Sequence, residues 1–282
     1  MPFRRDGWCG GRGSDIVTQP YTYTPYCGSP PRPETWLGRW NLDPILIGLL
    51  LVLLALYFLG ARLGGSSTPR WRRIAFCAGW AIGTLAVISP LCSLSVALFA
   101  ARVGQHMLLI GVAAPLIALG EPGRTMGLAR LWPAGRARPL AAAATLAAAL
   151  WFWHAPAPYT ATFQSDLVYW AMHLTTFGAA LWFWAELLGA AGGQLGGFAA
   201  ATLLTTGEMG LLGALITFAG RPLYLPHLST TYAWGLTPLQ DQQLGGVLMW
   251  IPAGVIFATG FVFAFTQVLR RAEARTLGHA PA

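Results

Sequence analysis

The chain has 282 residues, 55% of them hydrophobic and 10% charged, with a mean hydropathy of +0.53 and a formal net charge of +8. A soluble globular domain carries about 25% charged residues, so that class is excluded. Every basic residue is an arginine, which also excludes a retinal protein, whose Schiff base needs a lysine.

Apolar runs of about 18 residues or more recur, each able to cross a hydrocarbon core of about 30 Å. They are continuous rather than alternating, which predicts bundled helices and not a barrel. The expected fold is all-α, a polytopic membrane helical bundle of about seven transmembrane helices. The arginines gather in a few loops, as topology-setting charge does, so the lipid bilayer is the expected partner and nucleic acid is not.

Residues 1–40 are rich in Pro, Gly, Arg and Tyr and lack an apolar run, so they are predicted to form an irregular arm. Cys9 and Cys27 lie there without a CxxC spacing, and a disulfide between them requires an oxidising compartment. The first span follows Asn41-Leu42-Asp43-Pro44, a proline suited to a helix's first turn, and runs to about Gly60. Further spans are predicted at about 72–89, 95–119, 139–155, 166–189, 197–219 and 242–269. The bundle thus occupies 41–270 and a short tail 271–282. Cys77 and Cys92 fall in or beside apolar spans and are expected to be small buried hydrophobes.

Seven spans place the loops bearing Arg62, Arg70, Arg72 and Arg73, then Arg124, Arg130, Arg136 and Arg138, on one side with Arg270, Arg271 and Arg275 of the tail. That side is the predicted cytoplasm of a plasma membrane, with the arm and the loops HAPAPYTATFQSD and RPLYLPHLSTTYAWGLTPLQDQ outside.

Ionisable residues inside a bilayer cost about 2.5–3.5 kcal/mol and usually face a bundle interior. They are Arg102, His106, His173, Glu208 and, at a span's end, His154. Glu186 reads as a snorkelling or loop-facing acid, and His227 and His279 as solvated. His106 lies four residues after Arg102, on the same helix face. Asp241, Gly245 and Met249 form another stripe, a carboxylate at its mouth and a thioether two turns deeper. Imidazole, carboxylate and thioether together suit copper, the thioether favouring Cu(I). The bland alternatives stand beside this: a lone histidine packs through hydrogen bonds, and Met107, Met172 and Met209 fill gaps. His154 belongs equally to an aromatic belt with Trp151 and Trp153, and Asp241 to a helix N-terminus as a cap.

Several stretches carry a resemblance: QHMLLIGVAAPLIALGEP, WHAPAPY, LLGALITFAGRPLY, WGLTPLQDQQLGGVLMWIPAG and the arm's PYCGSPPRPETWLGRWNLDP. The chain resembles the seven-helix CtaG family of cytochrome c oxidase assembly factors. The resemblance implies a non-enzymatic membrane protein that helps assemble heme-copper oxidases by supplying copper to the catalytic subunit. The family's recurring polar residues fall on His106, His154, His173, Asp241, Gln242 and Gln243. There are two departures: Arg102 stands where many members have a histidine, and Trp170, Met172 and His173 stand where many have a His-x-x-Glu-His cluster.

The resulting expectation is copper held transiently by His106, His154, His173, Asp241 and Met249, with Cys27, Glu208, Met172 and Gln242 accessory. The ion would pass to the oxidase's catalytic subunit, with a periplasmic copper chaperone as a candidate donor. A copper or small-solute transporter, a metal-free scaffold and a heme protein remain as rivals.

Overall fold

Asn41 and Asp43 start the first membrane helix. The Asn41 side chain accepts from the Asp43 N–H and the Asp43 carboxylate from the Ile45 N–H at 2.9 Å, which satisfies donors a helix start leaves open. Helix α1 (Pro44–Leu63) follows, and in the computed structural model, which describes residues 24–63, 68–126, 138–189 and 195–277, only its Leu46 and Tyr57 are buried. Tyr57 stacks on Phe76 of α2 (Arg70–Ile88) and donates to the Gly120 carbonyl at 3.2 Å.

A short helix α3 (Pro90–Ala97) is capped by Ser89 with Pro90 at its first position. Leu98 is extended, with φ −129°, so the third span starts at Phe99 rather than at 95. It comprises α4 (Phe99–Met107), a π-helical stretch Leu108–Ala113 and α5 (Ala114–Leu119). A π stretch shifts the backbone hydrogen-bond register, and here the Trp184 indole donates to the Ile110 carbonyl at 2.7 Å.

The chain continues through α6 (Pro122–Thr125), α7 (Arg138–His154), α8 (Pro156–Ala161), α9 (Asp166–Gly189) and α10 (Leu195–Thr217). After two 3₁₀ turns, Leu225–His227 and Thr231–Trp234, α11 (Pro238–Leu277) completes the fold. The described residues contain no strand. Among the described residues, five segments are long and apolar enough to cross a membrane: Pro44–Leu63, Arg70–Ile88, Phe99–Leu119, Ala199–Thr217 and Pro238–Val262. Helix α7 has 17 residues and α9, though 24 residues long, is diluted by Trp, Tyr, Thr and His. The membrane-helical class therefore stands, while a count of seven spans is not established by length and apolarity. Helix α11 also begins before the predicted 242 and runs past 269, so residues 271–277 of the expected tail are helical.

Packing explains the glycine pair of the last span. A Cβ on Gly246 would lie 2.8 Å from the Gly213 carbonyl, so α10 and α11 cross with backbones nearly touching. A Cβ on Gly245 would strike the Phe99 ring at 2.4 Å, which seats α4 against the same helix.

The arm lies along this end of the bundle. Tyr26 donates to Asp43, stacks on Tyr169 and meets the Trp170 ring edge-on. The Trp234 indole donates to Pro31, the Asn41 N–H to Ile88, and the Ser93 hydroxyl to Arg39. Cys27 forms a disulfide with Cys92. Cys92 is buried as predicted but is also a crosslink, because a chain excursion absent from local pattern delivers its partner. Cys77 is free and exposed instead of buried, and Cys9 lies outside the described residues.

Candidate functional site

The ends of α4, α7, α9 and α11 that meet the arm and the 218–237 loop also carry the polar groups. Asp241, in the first turn of α11, is fully buried. Its carboxylate accepts the N–H groups of Phe99 at 2.7 Å and Ala100 at 3.1 Å. Leu98 offers no side-chain cap to α4, so an acid from another helix supplies it and meets the positive end of the α4 dipole. The predicted capping role is present, across helices. Both carboxylate oxygens are engaged there.

Gln242 does comparable work on the neighbouring loop. Its oxygen accepts from Leu223 N–H at 2.6 Å and its amide donates to the Ile216 and Arg221 carbonyls. Met249 is fully buried in the apolar core. Glu208 lines a small cleft with Thr205 and Met209 against Ala147 and Trp151 of α7. Among the described residues no three of His, Cys, Asp and Glu converge on a point that could hold a metal. The nine-residue expectation therefore does not assemble as one ligand shell.

Two of its members do meet. The His106 and His173 rings lie 5.3 Å apart between centroids, nearly perpendicular, and both are buried. The His173 Nδ1 bonds the Tyr169 carbonyl at 3.0 Å. A carbonyl only accepts, so Nδ1 carries the proton and neutral His173 presents a bare lone pair at Nε2. The Nε2 atoms of His106 and His173 are both buried without a hydrogen-bond partner. A buried nitrogen left so is costly unless something binds there. His154 has the same construction, its Nδ1 on the Leu150 carbonyl at 2.8 Å.

Arg102, one turn before His106, is 2% exposed and makes no ion pair among the described residues. Aromatic faces surround its guanidinium instead: Phe163 at 4.4 Å, Tyr159 at 5.0 Å and Tyr169 at 5.7 Å. It donates to the Thr162 hydroxyl at 2.7 Å and to the Met172 sulfur at 3.6 Å. The Met172 thioether, an expected accessory ligand, is thus occupied by a cation.

His227, expected to be solvated, is 2% exposed, and its Nε2 bonds the Tyr159 hydroxyl at 2.6 Å. Burial, with the Arg102 charge second, pushes it down to about 3. A loop fold, not a spacing, puts it there, so no sequence signal pointed to it; Tyr159 at least stood in the WHAPAPY stretch. Glu186 is paired with Arg138 and accepts from the Trp182 indole, rather than facing open solvent. His279 lies outside the described residues.

Residues 52–271 match the family model described as cytochrome c oxidase caa3 assembly factor, Caa3_CtaG. No curated protein and no solved structure matches the chain.

Proposed function

The chain belongs to the caa3 cytochrome c oxidase assembly factors, and from that premise we propose that it carries a copper ion destined for the oxidase's catalytic subunit. The observation that carries this reading is the His106–His173 pair, two buried imidazoles 5.3 Å apart with unpartnered Nε2 atoms. Imidazole nitrogens bond such ions at about 2 Å, so rings at this spacing are close enough to share one.

Two nitrogens make an incomplete shell, which suits a carrier that must release its cargo; a closed four-ligand site would retain it. The charge of Arg102 favours Cu(I) over Cu(II), because at any given distance it repels a divalent ion twice as strongly as a monovalent one. Asp241 serves the site without ligating: by holding the start of α4 it fixes where His106 stands one to two turns further on.

The Cys27–Cys92 disulfide supports placing this end of the bundle on the oxidising, outer side of a bacterial plasma membrane, with the N-terminus outside and the C-terminus in the cytoplasm. A periplasmic copper chaperone then has access to it. A non-enzymatic role accords with the family.

The test is oxidase maturation in cells carrying His106→Ala, His154→Ala and His173→Ala together, with protein abundance measured in parallel. Loss of copper from the oxidase at normal abundance is the expected result. Full maturation would replace the carrier by a metal-free scaffold.

A further inference from the structure

The Cys27–Cys92 disulfide has features that a plain crosslink does not need. Cys27 is half-buried on the arm and Cys92 is fully buried on α3. Disulfide sulfurs can only accept, so the Tyr169 hydroxyl is the donor in its contacts to Cys27 at 3.3 Å and Cys92 at 3.8 Å. The Asn41 amide donates to the Cys92 sulfur at 3.8 Å. Two donors therefore already face the place where a thiolate would form.

The arm has anchors besides the crosslink. Tyr26 is held by Asp43 and by two aromatic neighbours, Asn41 by Ile88, and Pro31 by Trp234. Opening the disulfide would leave both sulfurs side by side. The pair also adjoins the imidazoles, because the Tyr169 ring that contacts both sulfurs packs 4.2 Å from His173.

We infer that Cys27 and Cys92, as a dithiol, form a two-thiolate acquisition site for Cu(I), and that the disulfide is its closed form. This deepens the copper-carrier reading and rests on it. The opening reagent is an external dithiol. One of its thiolates attacks the sulfur of Cys27, the less buried of the two, the Cys27–Cys92 bond breaks, and Cys92 leaves as a thiolate facing Tyr169 and Asn41. The reagent's second thiolate then attacks its own sulfur in the mixed disulfide and releases Cys27. The reagent ends as a disulfide and the pair has gained two electrons and, before metal binds, two protons. Cu(I) binding to both sulfurs displaces those protons, since the thiolate is the ligand. From there His173 is the adjacent acceptor.

The experiment uses the full chain, purified in detergent in the Cys77→Ala background so that no other described thiol responds. Oxidised and phosphine-reduced protein are titrated with Cu(I) against a colorimetric Cu(I) chelator. The reduced protein should retain about one further ion per chain against the chelator. Cys27→Ser and Cys92→Ser should each abolish that increment, while His106→Ala/His173→Ala should leave it. Alkylating the reduced protein gives a second route that needs no variant to fold, and should abolish it too. Equal copper in oxidised and reduced protein, with the histidine-dependent ion still bound, would overturn the thiol site and leave the carrier standing. No copper in either form would overturn both.

Discussion

The two ends of the bundle treat arginine in opposite ways. At the arginine-rich end Arg72 is paired with Glu121, Arg124 reaches the same acid at 3.6 Å, and Arg138 is paired with Glu186. At the arm end Arg102 is more deeply buried than any of these, yet is enclosed by aromatic rings, a hydroxyl and a sulfur. The buried acid at that end, Asp241, is committed to backbone N–H groups. At one end the two most shielded arginines, Arg72 and Arg138, are matched to acids. The other keeps a cation without an acid partner among the described residues and three buried imidazole nitrogens without a hydrogen bond, on His106, His173 and His227.

The comparison breaks most readily at Asp241. Asp241→Ala strips the start of α4 of both acceptors, and at about 1.5 kcal/mol per hydrogen bond to a charged group should cost about 3 kcal/mol. Thermal melts in detergent should fall accordingly, with Asp241→Asn recovering part of the loss. A melt unchanged by Asp241→Ala would mean that the cross-helix cap does not hold α4.

Arg138→Met leaves Glu186 without its cation. That carboxylate is largely but not fully shielded, so the expected loss is about 2 kcal/mol, below the figure for a fully buried pair. Arg102→Met should behave differently. With no carboxylate to orphan and an apolar replacement for a buried charge, stability should stay within about 1 kcal/mol of the parent or rise. Cu(II), disfavoured by the guanidinium on this account, should then bind measurably better. Equal destabilisation by the two substitutions would erase the contrast between the ends.

The smallest effect expected is with acid. His227 is held neutral, at about 3 when folded against an ordinary value near 6.5. Its folded value is depressed, so its contribution is complete above about pH 6.5 and is lost as pH falls toward the folded value. Moving from pH 7 to pH 5.5 should lower stability by about 1 kcal/mol through this group. His227→Gln should make the melting temperature less acid-sensitive over that window.

What was legible in the sequence follows from how each feature is built. Helices leave apolar runs and capping residues next to one another in the chain, so the membrane-helical class and starts such as Asn41 to Pro44 could be read directly. The polarity of His106 and His173 within apolar runs was visible for the same reason. Their meeting was not, because it depends on how α4 and α9 pack. Asp241 at a helix start announced a cap, but nothing nearby in sequence says that the helix capped begins 142 residues earlier, at Phe99. The Cys92 crosslink and the burial of His227 were missed for one shared cause: an irregular segment, the arm or the 218–237 loop, folds back and supplies the partner. Irregular chain has no period to read.

The most direct measurement is the copper content of the isolated, disulfide-bonded protein after titration with Cu(I), compared with its His106→Ala/His173→Ala variant. Wild-type protein should hold about one ion per chain and the variant should bind it at least about tenfold more weakly, with both folded by circular dichroism. Identical copper binding by the two proteins would contradict the assignment of the imidazole pair as the carrier site.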